Sequence, residues 1–411
     1  MTLPKAIHEL EFGHGSCFGK EEQEAVLEVM RAGAPSCGPA VKAFEEAFAK
    51  YCGAKYGLAV SSGTTGLQLA MIAAGVGPGD EVITTPISWI STANAVAVLG
   101  AKVVFADVDA RTLNLDPASV EKKITPRTKA ILPVHLYGQC SDMDALNELA
   151  RPRNILVVED AAHAAGAEYK GRKAGSLGDI AVFSFHQQKN MVTLGEGGLI
   201  TTSDKSLYER MLSHRSLCCL TYDPKGKYLP LDESIHPMGK RYWYLDFEEI
   251  GFNYRMTDVQ AAVGLVQLKK LDHLNERRIQ IAKAYSEGLK GIEGLTLPFI
   301  APQNKHAFHI YCLLVEESFS LSKEDFMWEL YTRKQIKAWS HYMPIHLTTV
   351  YRNMGHQPGE CPVAEKLFEK YVSIPIHPRL SDEVVQYVID SIKEVASQGV
   401  ATAELATKGL A

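Results

Sequence analysis

The chain has 411 residues, 46% of them hydrophobic and 22% charged, the balance of a soluble globular protein with room for one large core and a smaller second one. Its 43 Lys and Arg against 48 Asp and Glu leave a formal net charge of −5, which argues against a nucleic-acid binder working through a broad cationic face. No apolar run reaches the roughly 18 residues of a membrane span, and the opening MTLPKAIHELEFGHG has no basic stretch followed by an apolar one, so a cytoplasmic location is expected.

From residue 55 to 205 short apolar runs alternate with helical patterns. The strand candidates are Gly57–Val60, Glu81–Thr84, Lys102–Ala106, Ala130–Val134, Ile155–Glu159, Ile180–Ser184 and Leu199–Thr202. They are apolar on both faces, as strands read when helices cover both sides of a mostly parallel sheet. Thr65–Ala74 and Ser91–Leu99 read as helices between them, giving an open α/β architecture. The stretch from Leu212 to Tyr254 has little periodicity, three prolines and the run Lys240-Arg241-Tyr242-Trp243-Tyr244; so long a loop is usually functional or disordered. A long helix then starts at Thr257, with Asp258 in its first turn where a negative charge suits the helix dipole. It leads into a smaller C-terminal unit, and the expected division is 1–271 and 272–411. Eight cysteines lack paired CxxC spacing, so they read as reduced thiols and no metal is expected.

Three segments carry chemistry. Ser61-Ser62-Gly63-Thr64-Thr65-Gly66 follows a strand and opens a helix, so backbone N–H groups and hydroxyls converge at the positive end of a helix dipole, a phosphate site; taken alone it reads more simply as a plain strand-to-helix turn. In Leu156-Val157-Val158-Glu159-Asp160-Ala161-Ala162-His163 a carboxylate ends a buried strand, at the sheet edge where ligands gather. Such a carboxylate can hold a heterocyclic nitrogen protonated, or merely cap the next helix. Phe183 to Asn190, followed by Gly195-Glu196-Gly197-Gly198, sets one lysine, Lys189, in a short loop after a strand. Partly desolvated, it becomes a nucleophile toward an aldehyde; alone it reads as one more surface lysine. Together, in chain order and each at a strand end, the three are what pyridoxal phosphate requires.

At this point the chain resembles the DegT/DnrJ/EryC1/StrS group of fold-type I aminotransferases that act on keto sugars. The likeness runs from about residue 15 to 390, anchored on GPAVKAFEEAFAKYCGAKYGLAVSSGTTGLQLA, VEDAAHAAGAEYKGRKAGSLGDIAVFSFHQQKN, LGEGGLITT and GFNYRMTDVQAAVGLVQL. It implies a seven-stranded, mostly parallel sheet flanked by helices plus a smaller C-terminal α/β domain. It implies pyridoxal 5'-phosphate as cofactor, with Lys189 as the Schiff-base lysine and Asp160 on the pyridine nitrogen. Gly63, Thr64 and Ser184 would hold the phosphate, with Thr65 assisting. Trp89 would cover the ring and His163 lie by its hydroxyl, while Asn253 would reach the phosphate of a neighbouring subunit in a homodimer. The catalytic set is then Lys189, Asp160 and His163. For the substrate, His341, His346, Arg241 and Arg255 are candidates, with Lys240 beside them.

The implied reaction moves an amino group from an amino acid, L-glutamate by family habit, to a keto sugar. The acceptor is open among a nucleotide-linked keto-deoxy sugar, a free keto sugar acid and a keto cyclitol. Thr65 stands where the family commonly has alanine, and the 216–244 segment is longer than usual, which puts transfer of any one substrate in doubt. A sugar dehydratase on the same scaffold is the nearest rival; in much of that branch a histidine replaces the lysine. A regulatory, non-catalytic role is a third reading, which the intact set of three anchors disfavours.

Overall fold

The computed structural model describes residues 17–33, 36–219 and 246–408, with side chains to 397. Two helices, α1 (Lys20–Ala32) and α2 (Pro39–Cys52), precede the main sheet. Seven strands then build it: β1 (Tyr56–Val60), β2 (Glu81–Thr84), β3 (Lys102–Phe105), β4 (Thr128–Leu132), β5 (Leu156–Asp160), β6 (Ile180–Ser184) and β7 (Gly198–Thr202). These are the seven expected strands, displaced by two residues at β4 and by one at β5. Their spatial order is β1-β7-β6-β5-β4-β2-β3. Only the pairings of β7, with β1 and with β6, are antiparallel. Two reversals restore direction, so β1 points the same way as β6, and its carboxyl end joins those of β5 and β6 at one edge. Helices cover both faces, and the sheet's residues divide between two buried clusters, one on each side. β2, for instance, is buried at all four positions, which is why it reads as an unbroken apolar run.

Two more helices frame that edge, α3 (Gly63–Ala73) and α4 (Ser91–Ala97). Ser62 starts α3 with a reciprocal cap: its hydroxyl accepts from Thr65 N–H at 3.2 Å, and the Thr65 hydroxyl accepts from Ser62 N–H at 3.1 Å. The start of β7 passes against this turn so closely that a Cβ on Gly198 would lie 2.6 Å from the Ser62 carbonyl oxygen. Any side chain there would force the turn that opens α3 outward.

The long helix α5 (Asp258–Gly288) is capped by Thr257 and runs unbroken through the expected division at 271/272. Leu271 packs with the large sheet and Ile281 with a third cluster. That third cluster surrounds a small sheet of β8 (Leu295–Thr296), β9 (Tyr311–Val315) and β10 (Tyr371–Ile374), with β9 central. Asp258 lies in the first turn of α5, as expected, and has a second task. Its carboxylate accepts Gly38 N–H at 2.5 Å, Ala40 N–H at 2.9 Å and Val41 N–H at 3.4 Å, so it caps α2 rather than its own helix. All eight cysteines are free thiols, as their spacing suggests. Lys240 and Arg241 lie outside the described residues.

Candidate active site

The carboxyl edge of β1, β5 and β6 opens into a cavity of about 610 Å³. Gly63 and Ser184 face each other across its floor; a Cβ on Gly63 would come within 2.8 Å of the Ser184 Cβ, so only glycine lets the α3 turn approach β6. Thr64 joins them in the wall, its hydroxyl donating to Ser91 Oγ at 2.9 Å. Thr65 does not. Its side chain is spent on the cap and on donating to the Ser62 carbonyl at 2.9 Å, and it is absent from the cavity wall.

Asp160 ends β5 and is 4% exposed. One oxygen accepts Thr92 O–H at 2.8 Å, the other Ala162 N–H at 3.1 Å. Burial pushes its pKa up, against the pull of these two donors and of Lys189. Lys189 sits in a loop closed at its neck by Phe185 N–H to Gly197 O (2.8 Å) and Gln187 N–H to Gly195 O (3.0 Å). Gly195 has φ 104° and Gly197 φ 158°, backbone conformations that explain the glycine-rich run. The next residue anchors the loop, because Asn190 Nδ2 donates to Asn275 Oδ1 and to Ala307 O, both at 2.8 Å. Burial lowers the Lys189 pKa to about 8, opposed by the Asp160 carboxylate. A useful fraction of neutral amine therefore exists near neutral pH.

His163 is buried beside them. Its Nδ1 accepts Tyr137 N–H at 3.3 Å, its Nε2 lies 3.4 Å from Tyr342 Oη, and its ring centre is 4.3 Å from that of His309. Burial holds its pKa well below the usual histidine value, and the Lys189 charge adds to this. Trp89, 60% exposed, stands at the cavity mouth with its ring edge-on to Tyr342 at 6.0 Å.

The far wall comes from the C-terminal half of the chain. Trp339 pairs with Ser373 of β10 through N–H to O bonds of 3.0 and 2.7 Å, so 337–341 is an extended edge. Lys337, Trp339 and His341 then alternate into the cavity while Ala338 turns into the third cluster. Of the substrate candidates, His341 is thus in the wall. His346 is not: it is fully buried, with Nε2 bonded to Glu365 at 2.8 Å. Arg255 bridges to Val60 and lines a separate cavity of about 920 Å³ with Lys42, Glu45 and Arg215. Asn253 is exposed and bridges to Ser216. Sequence reasoning did not single out Thr92, Lys337 or Trp339. Thr92 sits three residues after Trp89 at a helix start, which is a signal; the wall residues depend on a long-range pairing that leaves none.

The family model for DegT/DnrJ/EryC1/StrS aminotransferases matches residues 16–393. The chain belongs to this family. Among its relatives is GDP-perosamine synthase of Caulobacter vibrioides, 40% identical over 376 residues, 91% of this chain and 95% of that protein. The structure of DesV from S. venezuelae superposes with TM-score 0.82 at 37% identity, covering 92% of this chain and 94% of that one. Spr1654 of Streptococcus pneumoniae, a putative sugar aminotransferase in its PMP form, gives 0.85 at 29% identity and covers 95% and 99%. The protein is accordingly an enzyme, a pyridoxal-phosphate-dependent sugar aminotransferase. Its residues fit that cofactor: a buried carboxylate steadied by two neutral donors, a lysine with a lowered pKa, and a close Gly63–Ser184 approach lined by hydroxyls.

Proposed function

We propose that this aminotransferase carries the amino group of L-glutamate to a nucleotide-linked keto sugar. We further propose that it works as a homodimer and that its chain divides at 271/272. The observation that carries the reading is that Lys189 and Asp160 line one cavity, near enough for each to shift the other's pKa. The name and 40% identity of GDP-perosamine synthase favour a nucleotide-linked acceptor over a free keto sugar acid or cyclitol.

When bound, the cofactor supplies an electron-poor ring that stores the electrons released as the donor loses its α-proton. Asp160 keeps the ring nitrogen protonated, and Thr92 holds that carboxylate in place. Gly63, Thr64 and Ser184 bind the phosphate, and Trp89 covers the ring. Lys189 Nζ anchors the cofactor, then takes the donor's α-proton and returns it, as base and then acid. Leu67, Val134 and Val182 give the wall an apolar part that keeps water from the ring. His341 meets the acceptor, with Arg241 and Arg255 as further contacts; Asn253 serves the neighbouring subunit's phosphate. His346 is assigned to structure instead.

The test is the visible spectrum of the protein loaded with pyridoxal phosphate, before and after L-glutamate. A visible band that gives way to the pyridoxamine form, with release of 2-oxoglutarate, supports cofactor and donor together. A band that glutamate leaves unchanged removes the donor, and no band at all removes the reading of Lys189.

A further inference from the structure

The cavity holds a group to which the reaction described above gives no role. Tyr342 lines the cavity with Asp160, Lys189 and His163. Its ring lies edge-on to Trp89 at 6.0 Å and nearly parallel to His163 at 6.1 Å, 27°. Its backbone is pinned on both sides by buried phenols: Tyr137 Oη donates to the His341 carbonyl, and Tyr371 Oη to the Tyr342 carbonyl. A side chain held this firmly, on a wall otherwise built for the acceptor, reaches across to the histidine on the cofactor side.

The direction of the hydrogen bonds follows from one backbone group. Because His163 Nδ1 accepts Tyr137 N–H, the neutral ring carries its proton on Nε2. Burial keeps His163 uncharged, and burial together with the Asp160 charge keeps the Tyr342 phenol protonated. Nε2 and Oη therefore present two neutral N–H and O–H donors 3.4 Å apart. A single oxygen placed at ordinary hydrogen-bond length from both closes a triangle with that base, the arrangement of an oxyanion hole.

We propose, resting on the cofactor reading above and on its placing of His163 by the cofactor hydroxyl, that Tyr342 is a second donor there, so that the two residues clamp one oxygen, the phenolic oxygen of the cofactor. Two donors draw electron density from that oxygen, so it holds the proton of the neighbouring lysine-linked nitrogen less tightly. The groups facing Lys189 are Asp160, His163, His186, His309 and His341; Tyr342→Phe changes none of their charges and removes one oxygen atom.

The experiment is a pH titration of the visible band in the loaded enzyme, for the unaltered chain, Tyr342→Phe and His163→Asn. With the clamp, each substitution moves the transition upward, by about one pH unit for a lost donor, a tenfold change in proton affinity. The double variant moves it by less than the sum, because both donors serve one oxygen. A Tyr342→Phe titration that superposes on that of the unaltered enzyme overturns the clamp, and so does a downward shift. Circular dichroism of each variant checks that the fold is kept. Glutamate separates the two readings: if it converts the unaltered enzyme while Tyr342→Phe leaves the titration unmoved, only the clamp fails.

Discussion

The two sides of the cavity are built by different rules. The cofactor side is a row of strand ends: the Gly63 turn after β1, Asp160 closing β5, Ser184 closing β6 and Lys189 in the next loop. Each is placed by the few residues around it and by the strands of the main sheet. The side proposed for the acceptor is one extended edge, 337–341, bridged to β10 at Trp339 and tied by the Tyr137 hydroxyl through the His341 carbonyl. It contributes a cation, an indole and an imidazole at alternate positions, with Trp339 49% exposed. On the function proposed above, the first side fixes the chemistry and the second reads the acceptor, so substitutions on the two should fail in different ways.

The largest effect belongs to the cofactor side. Lys189→Ala should abolish the visible band and lower transamination by at least about 10³-fold, since both the covalent anchor and the base are lost; normal turnover in that variant would break the comparison outright. Next comes pH. Capture of pyridoxal phosphate needs the neutral amine of Lys189, whose pKa is lowered to about 8. The capture rate should rise as pH passes upward through about 8 and level off above it; a rise centred above about pH 10, the ordinary lysine range, would show that burial does not act on this lysine. On the acceptor side, Trp339→Ala should raise the KM for the keto sugar about fivefold, the loss of about 1 kcal/mol of ring contact. The glutamate half-reaction should stay unchanged, and a slowed one would place Trp339 with the cofactor.

The smallest effect on catalysis is expected at His346, which the structure takes out of the site. Its partner Glu365 also accepts from Gly359 N–H at 2.8 Å and Cys361 N–H at 3.3 Å. His346→Ala should destabilise by about 1–3 kcal/mol, through the lost buried bond, seen as a lower Tm with an unchanged acceptor KM. A raised KM at unchanged Tm would return His346 to the substrate list.

The same contrast separates what is legible in the sequence from what is not. Most of the seven strands are visible because they are buried on both faces, the edge strand β3 being the exception, and Asp160 and Lys189 because a strand end and a glycine-rich neck flank them. The fate of Thr65 is hidden: the same spacing that suggests a phosphate hydroxyl also makes a reciprocal helix cap, and the cap takes the side chain. His341 and His346 look equivalent in one short run. His341 lies on the extended edge that the Trp339–Ser373 pairing orients, whereas His346 falls on the following turn, with its ring 5.9 Å from that of Phe105. That pairing joins segments far apart in the chain, and no local pattern announces it.

The grip of Asp258 on α2 has a consequence for how the protein is made. By residue 202 all seven strands of the main sheet have been synthesised. The amide groups at the start of α2 still lack the carboxylate that caps them, because it lies 220 residues further along the chain than Gly38. At about 5–20 residues per second that is a wait of roughly 10–40 s on the ribosome. A nascent chain halted before Asp258 would carry a complete sheet with one helix end left open, and the last step in closing the large half is the arrival of the helix that leads out of it.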